Sequence, residues 1–136
     1  MCALEELISG IERRFSISCE LRLHEPILFD NSALANHVYR IAQEAVANAV
    51  HHGKAKRIVI DFSAVNGETI LSISDDGIGF PEDWRDSTGI GLHIMRYRAN
   101  MIGGNLRIHS GETGGAVVAV QFRQQGQDEN KYASQT

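Results

Sequence analysis

Two runs set the fold class: Arg57-Ile-Val-Ile-Asp-Phe62 and, beyond Asn66-Gly67, Glu68-Thr-Ile-Leu-Ser-Ile-Ser-Asp75-Asp-Gly-Ile-Gly-Phe80. β-rich segments on either side of Asn-Gly are a strong hairpin signal. Antiparallel strands are therefore predicted over 57–62 and 68–74, limits that leave room for a loop longer than two residues. Leu71 and Ile73 share one face, and period-two alternation carries Asp75 onto it. A carboxylate at the core edge needs hydrogen-bond donors to stay ionised. The chain then turns away through Gly77 and Gly79, which allow close backbone approach by a ligand. Taken alone, the segment is better explained as an Asp-Gly turn capped by its own carboxylate.

Outward from this hairpin, Leu4, Leu7, Ile8, Ile11 and Phe15 fall at helical spacing over residues 4–15. Ile17, Cys19, Leu21 and Leu23 alternate with polar residues, as in a half-buried strand. Asp30-Asn31-Ser32 offers an N-cap for a long helix to about His52, with Gly53 as its stop. Leu34, Val38, Ile41, Ala42, Ala45 and Ala49 form its apolar stripe. Residues 75–91, rich in Gly, Asp and Ser, are read as loop, and a helix follows from about Gly91 to Met101, ended by Gly103-Gly104. Strands over 105–110 and 116–122, joined by a Gly-rich turn, complete the pattern. It implies an α+β two-layer sandwich: one mixed sheet, helices on one face and a wetter opposite face. One domain is expected over 1–123, with a polar, frayed tail over 124–136.

Composition mostly excludes. The 136 residues are 43% hydrophobic and 22% charged, suiting one globular domain. A net charge of -4 makes no bulk case for nucleic acid or an anionic membrane. The longest all-apolar run, Ala116 to Val120, is far short of the roughly 20 residues that span a bilayer. The N-terminal residues lack the basic and apolar regions of a signal peptide, and Cys2 and Cys19 are read as reduced thiols of a cytoplasmic domain. The six histidines show no HExxH or other zinc spacing, and neither a Walker A nor a serine-hydrolase motif is present. Glycine is in excess, 13 of 136, and six of these lie between Gly77 and Gly104.

Two further segments carry chemistry. Arg40, Glu44, Asn48, His51 and His52 form a polar ridge on the long helix, ordinarily a solvated face. Glu44 and Asn48, however, lie among Ala42, Ala45, Ala47 and Ala49, small residues expected to leave open space above the helix. A carboxylate and an amide oxygen one turn apart can hold magnesium with its waters. Ser87-Thr88-Gly89-Ile90-Gly91-Leu92 leads a Gly-rich loop into a helix whose free N–H groups and positive dipole end suit phosphate; helix capping is the plain alternative. Together with Asp75, these segments supply an adenine contact, a metal site and a phosphate cradle.

In this order the motifs resemble the ATP-binding domain of sensor histidine kinases, within the gyrase, Hsp90, histidine kinase and MutL superfamily. Tyr39-Arg-Ile-Ala-Gln-Glu-Ala-Val-Ala-Asn-Ala-Val-His-His-Gly53 is similar to the N-box. Asp75-Asp-Gly-Ile-Gly-Phe80 is similar to the first glycine box, and Gly89-Ile-Gly-Leu-His-Ile-Met-Arg-Tyr-Arg-Ala-Asn-Met-Ile-Gly-Gly104 to the second. The Met-Arg-x-Arg-Ala run is typical of the NarX/DesK-like group. The resemblance covers roughly residues 3–122 and implies a Bergerat-type ATP-binding fold.

It also implies roles. Asp75 would accept the adenine amino proton, with Gly77 and Gly79 letting the backbone pass the base. Asn48 would ligate magnesium bridging the phosphates of ATP, and Glu44 would be the catalytic acidic residue that orients or polarises the attacking group. His51 and His52 would lie near the phosphates. Backbone N–H groups of Gly89, Gly91, Leu92 and His93 would hold phosphate, and residues 81–90, Trp84 included, would form a short lid. The sequence departs from the group at Tyr97, where Glu is usual, at His51, where Lys or Arg is frequent, and at Ala116, where Thr is common.

The implied partners are ATP, a separate dimerisation domain bearing the phosphoacceptor histidine, and a downstream response regulator, with neither nucleic acid nor direct membrane contact. None of the six histidines sits in such a dimerisation helix, so the expectation is the catalytic half of a kinase cut from a longer chain, whose parent can be membrane-anchored. A stand-alone relative such as an anti-sigma-factor serine kinase, and a non-catalytic interaction module, are the competing readings.

Overall fold

A computed structural model describes residues 2–24, 29, 31–79, 90–111 and 114–123. The expected lid over 81–90 (apart from Ile90), Phe80, Trp84, Gly89 and the expected tail over 124–136 lie outside the described residues.

The element order is α1 (Cys2–Phe15), β1 (Ser18–Leu23), α2 (Ser32–His51), β2 (Arg57–Val65), β3 (Glu68–Asp75), α3 (Ile90–Met101), β4 (Asn105–Ser110) and β5 (Ala116–Phe122). The strands form one sheet in the order β1-β2-β3-β5-β4. β1 runs parallel to β2, and all other pairs are antiparallel. α1 packs over β1, α2 over β2 and β3, and α3 over β4, so α2 is flanked by the other two helices.

Strand alternation decides which face the helices cover. Ile58, Ile60 and Phe62 of β2, Leu71 and Ile73 of β3, and Val118, Val120 and Phe122 of β5 are buried together with the α2 stripe Leu34, Val38, Ile41, Ala42, Ala45, Val46 and Ala49. Burying each of the Val, Leu, Ile and Phe side chains among these contributes on the order of 1.5–3 kcal/mol. Phe29 stacks on Phe122 and meets Phe62 edge-on, with ring centroids 6.5 and 6.4 Å apart. The intervening residues Asp61, Ser72, Ser74, Ala119 and Gln121 face the opposite, half-exposed side. The wetter second face is therefore present.

The local signals are satisfied with three differences. Asn31 caps α2, its Oδ1 accepting from Ala33 N–H at 2.8 Å and Leu34 N–H at 3.1 Å. The β2–β3 loop is two residues, not longer. β2 continues to Val65, which pairs with Glu68, and Asn66 and Gly67 both take positive φ, 53° and 81°, as a twist-matched two-residue turn requires. At the end of α2 the left-handed residue is Lys54 (φ 52°), not Gly53. Gly53 is needed instead for closeness, since a Cβ there would sit 2.9 Å from Ala49 O. Finally, Asp75 belongs to β3 and Ile90 to α3, which shortens the expected 75–91 loop at both ends.

Candidate nucleotide-binding site

Asp75 ends β3 on the same face as Leu71 and Ile73, as the alternation predicts, and is half-buried there. Its Oδ1 accepts from Gly77 N–H at 2.8 Å and from Ala116 N–H at 3.3 Å. Main-chain donors satisfying an ionised oxygen are what hold a carboxylate at a core edge. Because both bonds land on one oxygen, the orientation of the carboxylate is set by backbone, not by a mobile side chain.

The segment after Asp75 is held from two sides. Ile78 N–H donates to Gly53 O at 2.9 Å, and a Cβ on Gly77 would overlap that oxygen, coming 2.8 Å from Gly53 C. On the other side Gly79 (φ +79°) faces Gly115, where a Cβ would meet Gly115 O at 2.7 Å. Gly115 itself has φ +77° and packs against Asp75 O and Asp76 Cα. The two glycines proposed to admit a ligand thus also admit the neighbouring loops.

Asp76 is exposed, yet its Oδ1 accepts from Lys56 N–H at 2.8 Å and Arg57 N–H at 2.9 Å. These bonds hold its carboxyl below the ordinary carboxylate value, the Arg57 N–H contributing most. Sequence reading gave Asp76, Gly53 and Gly115 no role in the site, taking Gly53 only as a helix stop and as the end of the N-box-like stretch. Asp-Asp-Gly was a visible signal, but the donors to Asp76 lie 19 and 20 residues away, and the contacts of Gly53 and Gly115 are likewise made with distant loops.

Glu44 and Asn48 stand one turn apart on α2, both half-buried. The alanines do not open space over the helix as expected, because Ala42, Ala45 and Ala49 are core residues. The backbone of Gly91 in the first turn of α3 lies over the pair, where a Cβ would come 3.1 Å from Glu44 Oε2, 3.2 Å from Asn48 Oδ1 and 3.3 Å from Asn48 Nδ2. A carboxylate and an amide oxygen converging beside a bare backbone make a hard-oxygen donor pair of the kind magnesium takes, so these residues fit a magnesium–nucleotide complex. Gly91, Leu92 and His93 occupy the first turn of α3, where N–H groups lack intrahelical acceptors. Leu92 leans on the core and His93 is exposed. Farther along, Arg98 donates to His37 Nδ1 at 3.2 Å and ties α3 to α2.

The histidines at the end of α2 divide. His52 is the C-cap, its N–H donating to Asn48 O at 2.9 Å. The exposed His51 ring meets Phe15 of α1 edge-on at 5.4 Å. Asp75, Gly77, Asn48, Glu44 and Gly91 are joined by a traceable set of contacts. No such contact ties His51 to that set among the described residues. Within the same residues no helix is long and apolar enough to cross a membrane, and no cluster of His, Cys, Asp and Glu is arranged to hold a metal ion.

Comparison with known proteins gives the family and the fold. The family described as histidine kinase-, DNA gyrase B-, and HSP90-like ATPase matches residues 33–126. The nitrate/nitrite sensor protein NarQ of Escherichia coli is 33% identical over 122 residues, 89% of this chain and 22% of NarQ. The sensor histidine kinase LiaS of Bacillus subtilis is 29% identical over 117 residues, 86% of this chain and 32% of LiaS. The chain therefore spans between a fifth and a third of the length of these relatives. In fold it is similar to the ATP binding domain of PrrB from Mycobacterium tuberculosis (TM-score 0.77, 20% identity, 90% of this chain and 92% of that one). A blue-light activated histidine kinase from Erythrobacter litoralis matches with TM-score 0.78 and 22% identity over 93% of this chain and 42% of that one. With a five-stranded mixed sheet, the ordered motifs and the family match over most of its length, the chain belongs to the histidine kinase-, DNA gyrase B- and HSP90-like ATPases, and its relatives include sensor histidine kinases.

Proposed function

We propose that this domain binds Mg-ATP and serves as the catalytic, cytoplasmic part of a two-component sensor kinase, offering the γ-phosphoryl group to a histidine on a separate dimerisation domain, with a response regulator downstream. The convergence of Glu44 Oε2 and Asn48 Oδ1 on the bare backbone of Gly91 carries this reading. Asp75 Oδ1 is engaged by Gly77 and Ala116, so Oδ2 is the oxygen that accepts the adenine amino group. Gly77 and Gly79 bring the main chain past the base. Asn48 supplies an amide oxygen to magnesium, which when bound neutralises phosphate charge. The first-turn N–H groups at Gly91, Leu92 and His93, led by Gly89, receive phosphate oxygens at the positive end of α3. His52 borders this region through its bond to Asn48 O, and His51 keeps its proposed place near the phosphates on the resemblance alone. Glu44 orients or polarises the incoming histidine. Such a site works through positioning and charge neutralisation, as phosphoryl transfer generally does.

Calorimetric titration of Mg-ATP into wild type and Asp75→Asn tests the reading. Asn retains an oxygen for the Gly77 and Ala116 donors but offers the amino group a poorer partner, so binding is expected to weaken by about 2–4 kcal/mol. Absence of saturable binding in wild type would sink it. Mixing with dimerisation domains and assaying acid-labile phosphohistidine then tests the transfer step.

A further inference from the structure

Asp75 and Asn48 stand on different elements, and a short run of main-chain bonds spans them. Gly53 N–H donates to Asn48 O, and Gly53 O accepts from Ile78 N–H, both at 2.9 Å. Asp76 N–H donates to Arg57 O at 3.2 Å. The Asp76 carboxylate closes this joint by accepting two successive backbone N–H groups, from Lys56 and Arg57, on one oxygen. We propose that Asp76 is a positioning residue for the nucleotide site: it clamps the 75–79 segment to the 53–57 connection and so sets the Asp75 carboxylate relative to Asn48. The role rests on the nucleotide reading of the site and adds to it a residue that touches neither base nor phosphate.

The physical case is that adjacent N–H groups aimed at one anion form a rigid, charge-assisted anchor. Asp76 lies beside the Asp75–Ile58 pair that ends the β2–β3 ladder. Without its side chain, Lys56 and Arg57 N–H turn to water and the ladder end frays. The Gly77 N–H then no longer meets Asp75 Oδ1 in a fixed geometry. Asp76 is exposed and fills no core volume, so its removal leaves the packed interior intact.

The test combines Mg-ATP calorimetry with amide hydrogen exchange at Gly77 and Ile78 in ligand-free protein, for wild type, Asp76→Ala, Asp76→Ser and Asp76→Asn. Asp76→Ala is expected to speed exchange at both amides and weaken Mg-ATP on the order of tenfold. Asp76→Asn keeps an acceptor in the same place and restores both properties to within about threefold of wild type. Asp76→Ser, with its oxygen on a shorter arm, falls between and serves if the alanine variant does not fold. Wild-type affinity in Asp76→Ala overturns the proposal, as does faster exchange with unchanged affinity. An Asp76→Asn loss equal to that of Asp76→Ala overturns the clamp, because an amide oxygen in the same place still accepts from both N–H groups. Failure of the nucleotide reading appears separately, as no saturable binding by wild type, and removes the positioning role with it.

Discussion

Gly91 lies directly against Asn48: a Cβ on Gly91 would stand 3.2 Å from Asn48 Oδ1. α3 thus approaches α2 closely enough that any side chain at this position would crowd the pair, and the donor pair on α2 is roofed by backbone.

Gly91→Ala consequently separates folding from binding. Alanine improves helix propensity by up to about 1 kcal/mol, while Glu44 and Asn48 give way by a few tenths of an ångström. Stability by urea unfolding is expected to stay within about 1 kcal/mol of wild type. Mg-ATP affinity is expected to fall about tenfold. Unchanged affinity would remove Gly91 from the site.

Gly77→Ala behaves oppositely. Its Cβ meets the main chain of Gly53, which cannot swing aside as a side chain can, so the variant is expected to lose roughly 2–4 kcal/mol in urea unfolding. A cost under about 1 kcal/mol would mean that the two loops separate freely.

Lys54→Gly should stabilise. Lys54 holds φ 52°, a conformation costing an L-residue roughly 1–2 kcal/mol; glycine removes that strain, and its larger unfolded-state entropy cancels part of the gain. The expected gain is about 0.5–1 kcal/mol, read as a raised thermal midpoint; a lowered midpoint would contradict it.

Cys19 is buried and its thiol is pushed up to about 11, by burial first and then by Glu12. The thiolate is the reactive form, so at pH 8 the Cys19 peptide should resist iodoacetamide in the folded protein and label after unfolding, as mapped by mass spectrometry. Rapid labelling under native conditions would show that β1 opens readily.

Asp76 predicts an acid limb. Its folded carboxyl titrates below the ordinary value of 3.8, so the unfolded state takes up protons first as pH falls. The stabilisation is fully present above the unfolded value and is lost as pH drops through the folded one. Asp76→Asn should flatten that part of the thermal midpoint against pH profile relative to wild type, an effect moderated by solvent exposure. Superimposable profiles would count against the Lys56 and Arg57 bonds.

Much of the fold was legible because its signals are local. Both C-terminal strands begin and end where alternation places them, and the α2 stripe faces the core as its spacing requires. The hairpin was legible as well, although extending β2 to Val65 needed the turn's positive φ values at Asn66 and Gly67. Of the site, Asp75 was visible as the end of an apolar face, and Glu44 and Asn48 as a polar pair. What lies above that pair was misread, since the alanines belong to the core and the backbone at Gly91 stands over the two side chains.

By itself, the sequence determined which face each strand and helix buries, because periods of two and 3.6 residues belong to the local chain, and which residue types are available for nucleotide chemistry. The tertiary structure alone decided that Asp75 shares its Oδ1 between Gly77 and Ala116, that Gly53 links Asn48 to Ile78, and that Asp76 anchors to Lys56 and Arg57. Several of those partners lie many residues apart. Their meeting depends on how the helices pack over the sheet and how its loops close, a collective outcome that no single stretch encodes.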